Sequence, residues 1–170
     1  MTLLTPHYHC ATVADVPLED LWNHGVRGLL LDIDNTIACH GQWVIEAEVR
    51  DWIAQAIQRG FRIALYSNAR TRRIRRVAAD LGVEVAARAY KPFNASLKAI
   101  LAEWNLTPQQ VAITGDQLFT DVLAGKWGGL TVILIEPLSQ HEWPHTQLLR
   151  AVEVLLGRRR VGIMRVLGPR

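Results

Sequence analysis

The chain carries only two cysteines in 170 residues, Cys10 and Cys39. They sit in unlike surroundings, which excludes a disulfide framework and makes a reducing compartment the default. Zinc-ligand spacing is missing as well: His7, His9 and Cys10 lie close together but have no second ligand pair nearby, and they read as a loop. Long apolar runs are absent. The longest, around Leu29 to Leu31 and Leu130 to Ile135, fall far short of the ~20 residues that a membrane-spanning helix needs. No Lys or Arg precedes Arg27 and no extended apolar core lies before it, so no secretory signal is expected. Internal repeats, low-complexity segments and any linker long enough to separate a pair of domains are lacking too. The expectation is a single domain over residues 1–170, with a basic C-terminal helix or tail from about residue 146. Its expected location is the cytoplasm, with scope for peripheral contact at a membrane surface.

What is present suits a folded domain. A hydrophobic content of 49% and a charged content of 21% fit a chain of this length that buries ~70% of its unfolded surface. The net charge of +3 identifies no partner, but its distribution is uneven. Arg70, Arg72, Arg73, Arg75 and Arg76 contribute +5, and the segment from Arg150 onward, six Arg against Glu153, contributes another +5, so the rest of the chain sums to −7.

Periodicity supplies the architecture. Gly28 to Asp32 is a short Leu-rich run ending in turn residues, as expected of a strand buried on both faces. Val49, Trp52, Ile53, Ala56 and Ile57 recur at helical spacing, with Gly60 placed as a C-cap glycine. Phe61 to Tyr66 reads as a second strand, and Ile74, Val77, Ala78 and Leu81 as the stripe of a second helix closed by Gly82. Val83 to Ala86 gives a brief third strand, and a helix over about Asn94 to Trp104 buries Leu97, Ile100, Leu101 and Trp104. Val111 to Thr114, a helix near Asp121 to Trp127, and Leu130 to Ile135 complete the pattern. Strands alternating with helices imply an α/β fold, a five-stranded, mostly parallel sheet with helices on both faces. In such sheets the ligand sits beyond the carboxyl ends of the strands, where strand order reverses.

Those strand ends are rich in phosphate- and metal-handling groups. The first closes with Asp32, Ile33, Asp34, Asn35 and Thr36, the second with Tyr66, Ser67 and Asn68. Lys91 follows the third, and the fourth ends in Thr114, Gly115 and Asp116, with Asp121 five residues on. Any one of these could simply cap a helix or close a turn. Four aspartates at one sheet edge would repel strongly unless a cation joined them, and all-oxygen ligands favour Mg²⁺.

In this order the residues resemble the four motifs of the haloacid dehalogenase (HAD) superfamily of phosphohydrolases. The DNT variant and the segment Leu21 to Leu31 resemble its subfamily IIIA, YqeG type, and the likeness spans roughly Leu4 to Pro137. The resemblance implies a HAD-like Rossmannoid fold and an aspartyl-phosphate mechanism. It makes Asp32 the nucleophile and Asp34 the acid and base, the latter requiring a protonated start that a neighbouring carboxylate would favour. It assigns Mg²⁺ to Asp32, the Asp34 carbonyl, Asp116 and Asp121, and charge stabilisation to Lys91. Thr36 would steady the loop, and Ser67 with the Asn68 amide would hold phosphoryl oxygens.

Many members of that superfamily carry a cap domain between these motifs. Here 33 positions separate Asp34 from Ser67 and 24 separate Ser67 from Lys91, which the sheet's own elements consume, so no cap domain is expected. An open site suits a phosphate monoester on something large, and the kinship of YqeG-type proteins with phosphatidylglycerophosphate phosphatases implies a phospholipid. The basic tail, with its stripe of Leu148, Leu149, Val152, Leu155 and Leu156, fits an anionic membrane surface, packing on the body, or a disordered end. The alternative from another class is a nucleic-acid or ribosome-associated binding protein with vestigial activity; the lack of interleaved stacking aromatics speaks against it. Trp43 and Trp52 read as core or flap residues and His40 as a turn residue, with His40 or Trp43, close after the first motif, as an alternative lining of the site mouth; His141, Trp143, Pro144 and His145 read as shaping a loop. Oligomeric state is not legible.

Overall fold

In the computed structural model, residues 4–40, 42–69, 71–86, 89, 91, 95–138 and 164–165 are described. The chain runs β1 (Tyr8–Cys10), α1 (Leu18–Asn23), β2 (Gly28–Leu31), α2 (Ala47–Gln58), β3 (Arg62–Leu65), α3 (Thr71–Leu81) and β4 (Glu84–Val85). It continues through α4 (Ala95–Trp104), β5 (Val111–Gly115), a π-helical turn (Leu118–Val122), α5 (Leu123–Gly128), β6 (Thr131–Ile135) and β7 (Met164–Arg165). The sheet order is β4-β3-β2-β5-β6-β1-β7, with β7 antiparallel to β1 and every other pairing parallel.

The two-residue period of the strands sorts their side chains into two cores. Leu29 and Leu31 of β2, Ile63 and Leu65 of β3, Ala112 of β5 and Ile133 and Ile135 of β6 pack with α1, α2 and α3 through Leu21, Trp52, Ile53, Ile74 and Val77. Leu30, Ala64, Ile113, Val132 and Leu134, the alternate positions, pack with α4 and α5 through Leu97, Ile100, Trp104 and Ala124. Each fully buried leucine contributes about 1.5–3 kcal/mol. This is why the central strands read as unbroken apolar runs: both faces are covered. Gly60, at φ 95°, takes the left-handed turn that ends α2, as its position in the sequence suggested.

The sheet has more strands than the five expected. β1 lies in the segment read as a loop. It is only three residues long, and its partner β6 lies far along the chain, so nothing local announced it. His9, at its centre, is accommodated by Glu136 at 2.6 Å. Cys10 is buried, and that burial, with Asp15 adding to it, pushes its thiol up to about 11. β7 adds a seventh strand from the basic tail. The rest of that tail, including the stripe from Leu148 to Leu156, and the segment of His141, Trp143, Pro144 and His145 lie outside the described residues. The helix expected over Asp121 to Trp127 is preceded by a π-helical turn. Among the described residues no cap domain interrupts the chain before Lys91, and no helix is long and apolar enough to cross a membrane.

Gly125 lets α5 lie close on the sheet. A Cβ there would come 2.5 Å from Ile113 Cγ2 and 2.6 Å from Val132 Cγ2. Alanine ordinarily gains about 0.5–1 kcal/mol over glycine inside a helix, whereas overpacking costs about 1–3 kcal/mol. Gly125→Ala should therefore lower stability in urea unfolding, and a stabilised variant would contradict this packing.

Candidate active site

From β2 the chain moves outward to β3 and β4, then returns to build β5 and β6 on the other side, so strand order reverses between β2 and β5. Asp32 follows β2 directly, its N–H donating to the Thr114 carbonyl at 2.9 Å, and Asp116 follows the neighbouring β5. The loop beyond Asp32 doubles back because Asn35 adopts a left-handed conformation, φ 57°. Its N–H donates to the Ala38 carbonyl at 2.8 Å, and its side-chain oxygen accepts from the His40 N–H at 3.3 Å. Thr36 is wholly buried in this turn.

Asp32, Asp116 and Asp121 come together with carboxylate oxygens all within 4.8 Å of one another, and all three are buried. Asp121 reaches the group from the π-helical turn, in which the Val122 N–H bonds back to the Gln117 carbonyl at 3.2 Å; such insertions often mark functional sites. The turn can sit so close because of Gly115: a Cβ there would lie 2.1 Å from Asp121 Cγ. Lys91 Nζ donates to Asp32 Oδ1 at 2.7 Å and also to Asp121. The Asn68 side chain fixes that lysine's backbone, its oxygen accepting from the Lys91 N–H at 2.9 Å. Ser67 is buried, and its hydroxyl accepts from the Ala69 N–H at 3.2 Å.

The electrostatics follow from burial. Loss of water pushes the Asp32 carboxyl up to about 6, opposed by Lys91 and reinforced by Asp121. Burial pulls Lys91 the other way, but Asp121 and Asp32 outweigh it and hold the ammonium charged. Three carboxylates against one ammonium leave two negative charges without a counter-charge within the cluster. The donors are all hard oxygens, so the set fits one divalent cation.

The Asp34 side chain lies outside this cluster. A carboxylate was expected beside it; instead it bonds Arg73 Nη1 and lies 3.3 Å from His40 Nδ1. The second terminal nitrogen of Arg73 donates to the Gln42 carbonyl at 2.7 Å.

The chain is similar to known proteins in both sequence and fold. Residues 1–139 match the model of the family described as mitochondrial PGP phosphatase. The chain belongs to that family. It is 27% identical to probable phosphatase YqeG of Bacillus subtilis (strain 168) over 135 residues, 79% of this chain and 78% of that one. It is 25% identical to the chloroplastic/mitochondrial phosphatidylglycerophosphate phosphatase 1 of Arabidopsis thaliana over 164 residues, spanning 91% of this chain but only 47% of the plant protein. The fold is shared with 3-deoxy-D-manno-octulosonate 8-phosphate phosphatase from Yersinia pestis, at TM-score 0.53 and 20% identity, over 69% of this chain and 68% of that one. The PGP phosphatase family member described here is thus a phosphatase, a phosphoric monoester hydrolase.

Two residues of the site were not legible as such. Arg73 appeared only as one member of a basic run; its one signal was its place in the helix that opens after Ser67. Gly115 appeared as a motif letter, although its lack of a side chain is what admits Asp121. Gly115→Ala should displace that carboxylate and weaken divalent-metal binding about 10–100-fold. Calorimetric titration with Mn²⁺ measures this, with circular dichroism as the control for folding; unchanged affinity would separate Asp121 from the metal.

Proposed function

We propose that the protein is a Mg²⁺-dependent phosphomonoester hydrolase that works through an aspartyl-phosphate on Asp32 and acts on a lipid-borne phosphate such as phosphatidylglycerophosphate. The observation that carries this reading is the buried group of Asp32, Asp116 and Asp121 with Lys91 at the switch point of the sheet. Asp32, the Asp34 carbonyl, Asp116 and Asp121 would hold the metal. When bound, it supplies positive charge that lets an anionic phosphate approach an anionic nucleophile.

A carboxylate oxygen of Asp32 attacks phosphorus in line, and the bond from phosphorus to the ester oxygen breaks. Asp34 must enter this step protonated, and it gives that oxygen its proton. Water then attacks the phosphorylated Asp32, giving its proton to Asp34; the acyl phosphate bond breaks, and inorganic phosphate and the Asp32 carboxylate are released. Lys91, already bonded to Asp32, stabilises charge on the transferring group, and Ser67 with the Asn68 amide receives phosphoryl oxygens. Thr36 steadies the turn between the two aspartates. Arg73 and His40 orient the Asp34 side chain.

The choice of a lipid rests on three supports: the family of the chain, the name of its Arabidopsis relative, and the absence of a cap domain among the described residues. A large headgroup at a bilayer needs an open entrance. Peripheral contact with the membrane belongs to this reading. The test is Mg²⁺-dependent phosphate release from phosphatidylglycerophosphate in micelles, beside soluble sugar and nucleotide phosphates and phosphopeptides. The lipid should be turned over at least tenfold faster than the rest, and Asp32→Asn should lose activity on the order of 10³-fold or more while still folding. An active Asp32→Asn protein would overturn the nucleophile; equal weak rates on every substrate would overturn the lipid.

A further inference from the structure

The loop before α2 and the exposed side of α3 form one surface at the edge of the site. Arg73 joins the Asp34 carboxylate to the Gln42 carbonyl, so the backbone at residue 42 lies a guanidinium's breadth from Asp34. The next two side chains are apolar and face water: Trp43 is 45% exposed and Val44 67%. The loop is fixed at its far end, where Ile45 is buried and its carbonyl accepts from Arg50 Nε at 3.2 Å. Alongside, the Arg76 guanidinium lies 5.0 Å from the Trp43 ring centroid. Arg72, Arg75 and Arg76 are all exposed, and among the described residues no carboxylate pairs with any of them. Asp80, further along α3, is bonded to Arg50 at 2.5 Å.

We propose that Trp43, Val44, Arg72, Arg75 and Arg76 dock the protein on an anionic phospholipid bilayer, with the phosphate site opening toward the lipid headgroups. The proposal rests on the reading of the substrate as lipid-borne and names the surface that meets the lipid. A tryptophan with one wet edge settles at headgroup depth, and a neighbouring valine reaches the acyl boundary. Arginines beside them meet headgroup phosphates, each strengthening partition about fivefold at an anionic surface. Two exposed apolar side chains are too few for a stable protein interface, which needs about 800 Å² from each partner. A single-stranded nucleic acid would use free aromatic faces, whereas here Arg76 lies over the Trp43 ring and valine has no face to stack.

The test uses the full chain and three readouts: sedimentation with vesicles of phosphatidylcholine, alone or with 30% phosphatidylglycerol; phosphate release from phosphatidylglycerophosphate in such vesicles; and hydrolysis of soluble p-nitrophenyl phosphate. Wild type should bind the anionic vesicles at least tenfold better than the neutral ones. The pairs Trp43→Ser with Val44→Ser, and Arg72→Glu with Arg75→Glu, should each cut anionic-vesicle binding and vesicle turnover at least tenfold. Both should keep soluble hydrolysis within twofold, which also reports folding. Variants that bind anionic vesicles like wild type overturn the proposal, as does a wild type that binds neutral and anionic vesicles equally. Because vesicle binding is read without substrate, the two failures separate. Docking lost in the variants of a protein that hydrolyses only soluble esters supports the surface and refutes the lipid substrate. Lipid hydrolysis by variants with intact docking does the reverse.

Discussion

Three carboxylates whose oxygens lie within 4.8 Å of one another, shut away from water, are costly to assemble. At an effective dielectric of about 20, each pair at that spacing repels by roughly 3–4 kcal/mol, and desolvation adds several kcal/mol for each charge. Lys91 is bonded to Asp32 and Asp121, and its single charge cannot balance three. The fold sustains this arrangement because the aspartates stand on rigid supports: the ends of two paired central strands and a π-helical turn packed against them. The site is thus built to want positive charge. A cation and a phosphoryl group can meet that want together, which connects the energetics of the cluster to the proposed chemistry.

The Asp34 end of the site is held by different means. Asp34 stands outside the carboxylate cluster and is tied by Arg73 to the loop that bears Trp43. A single side chain of α3 thereby links the chemistry to the outer surface, and the same helix presents the remaining arginines to solvent. Among the described residues, this loop and helix lie beside Asp34. An open mouth suits a phosphate that is carried on a larger body.

Much of this was legible in the sequence because it depends on local pattern. The central strands are short apolar runs covered on both faces, and the alternation of Leu29, Leu30 and Leu31 between two cores is what an extended chain must do. The carboxylates could be gathered at one edge because each follows a strand of a parallel sheet. What escaped depends on distant partners. β1 is three residues that make sense only beside β6, and Arg73 meets a carboxylate 39 positions away. The π-helical turn and the need for Gly115 are matters of sub-ångström fit between Asp121 and the strand end, to which periodicity is blind.

The central claim is that Asp32, Asp116 and Asp121 close around one divalent ion. The most direct measurement is a crystal structure grown with Mg²⁺ and repeated with Mn²⁺ to locate the ion by anomalous scattering. The account predicts one ion among those carboxylates, with metal–oxygen distances of about 2.0–2.1 Å for Mg²⁺. An ion bound elsewhere, or a cluster left to Lys91 alone at saturating metal, would contradict it.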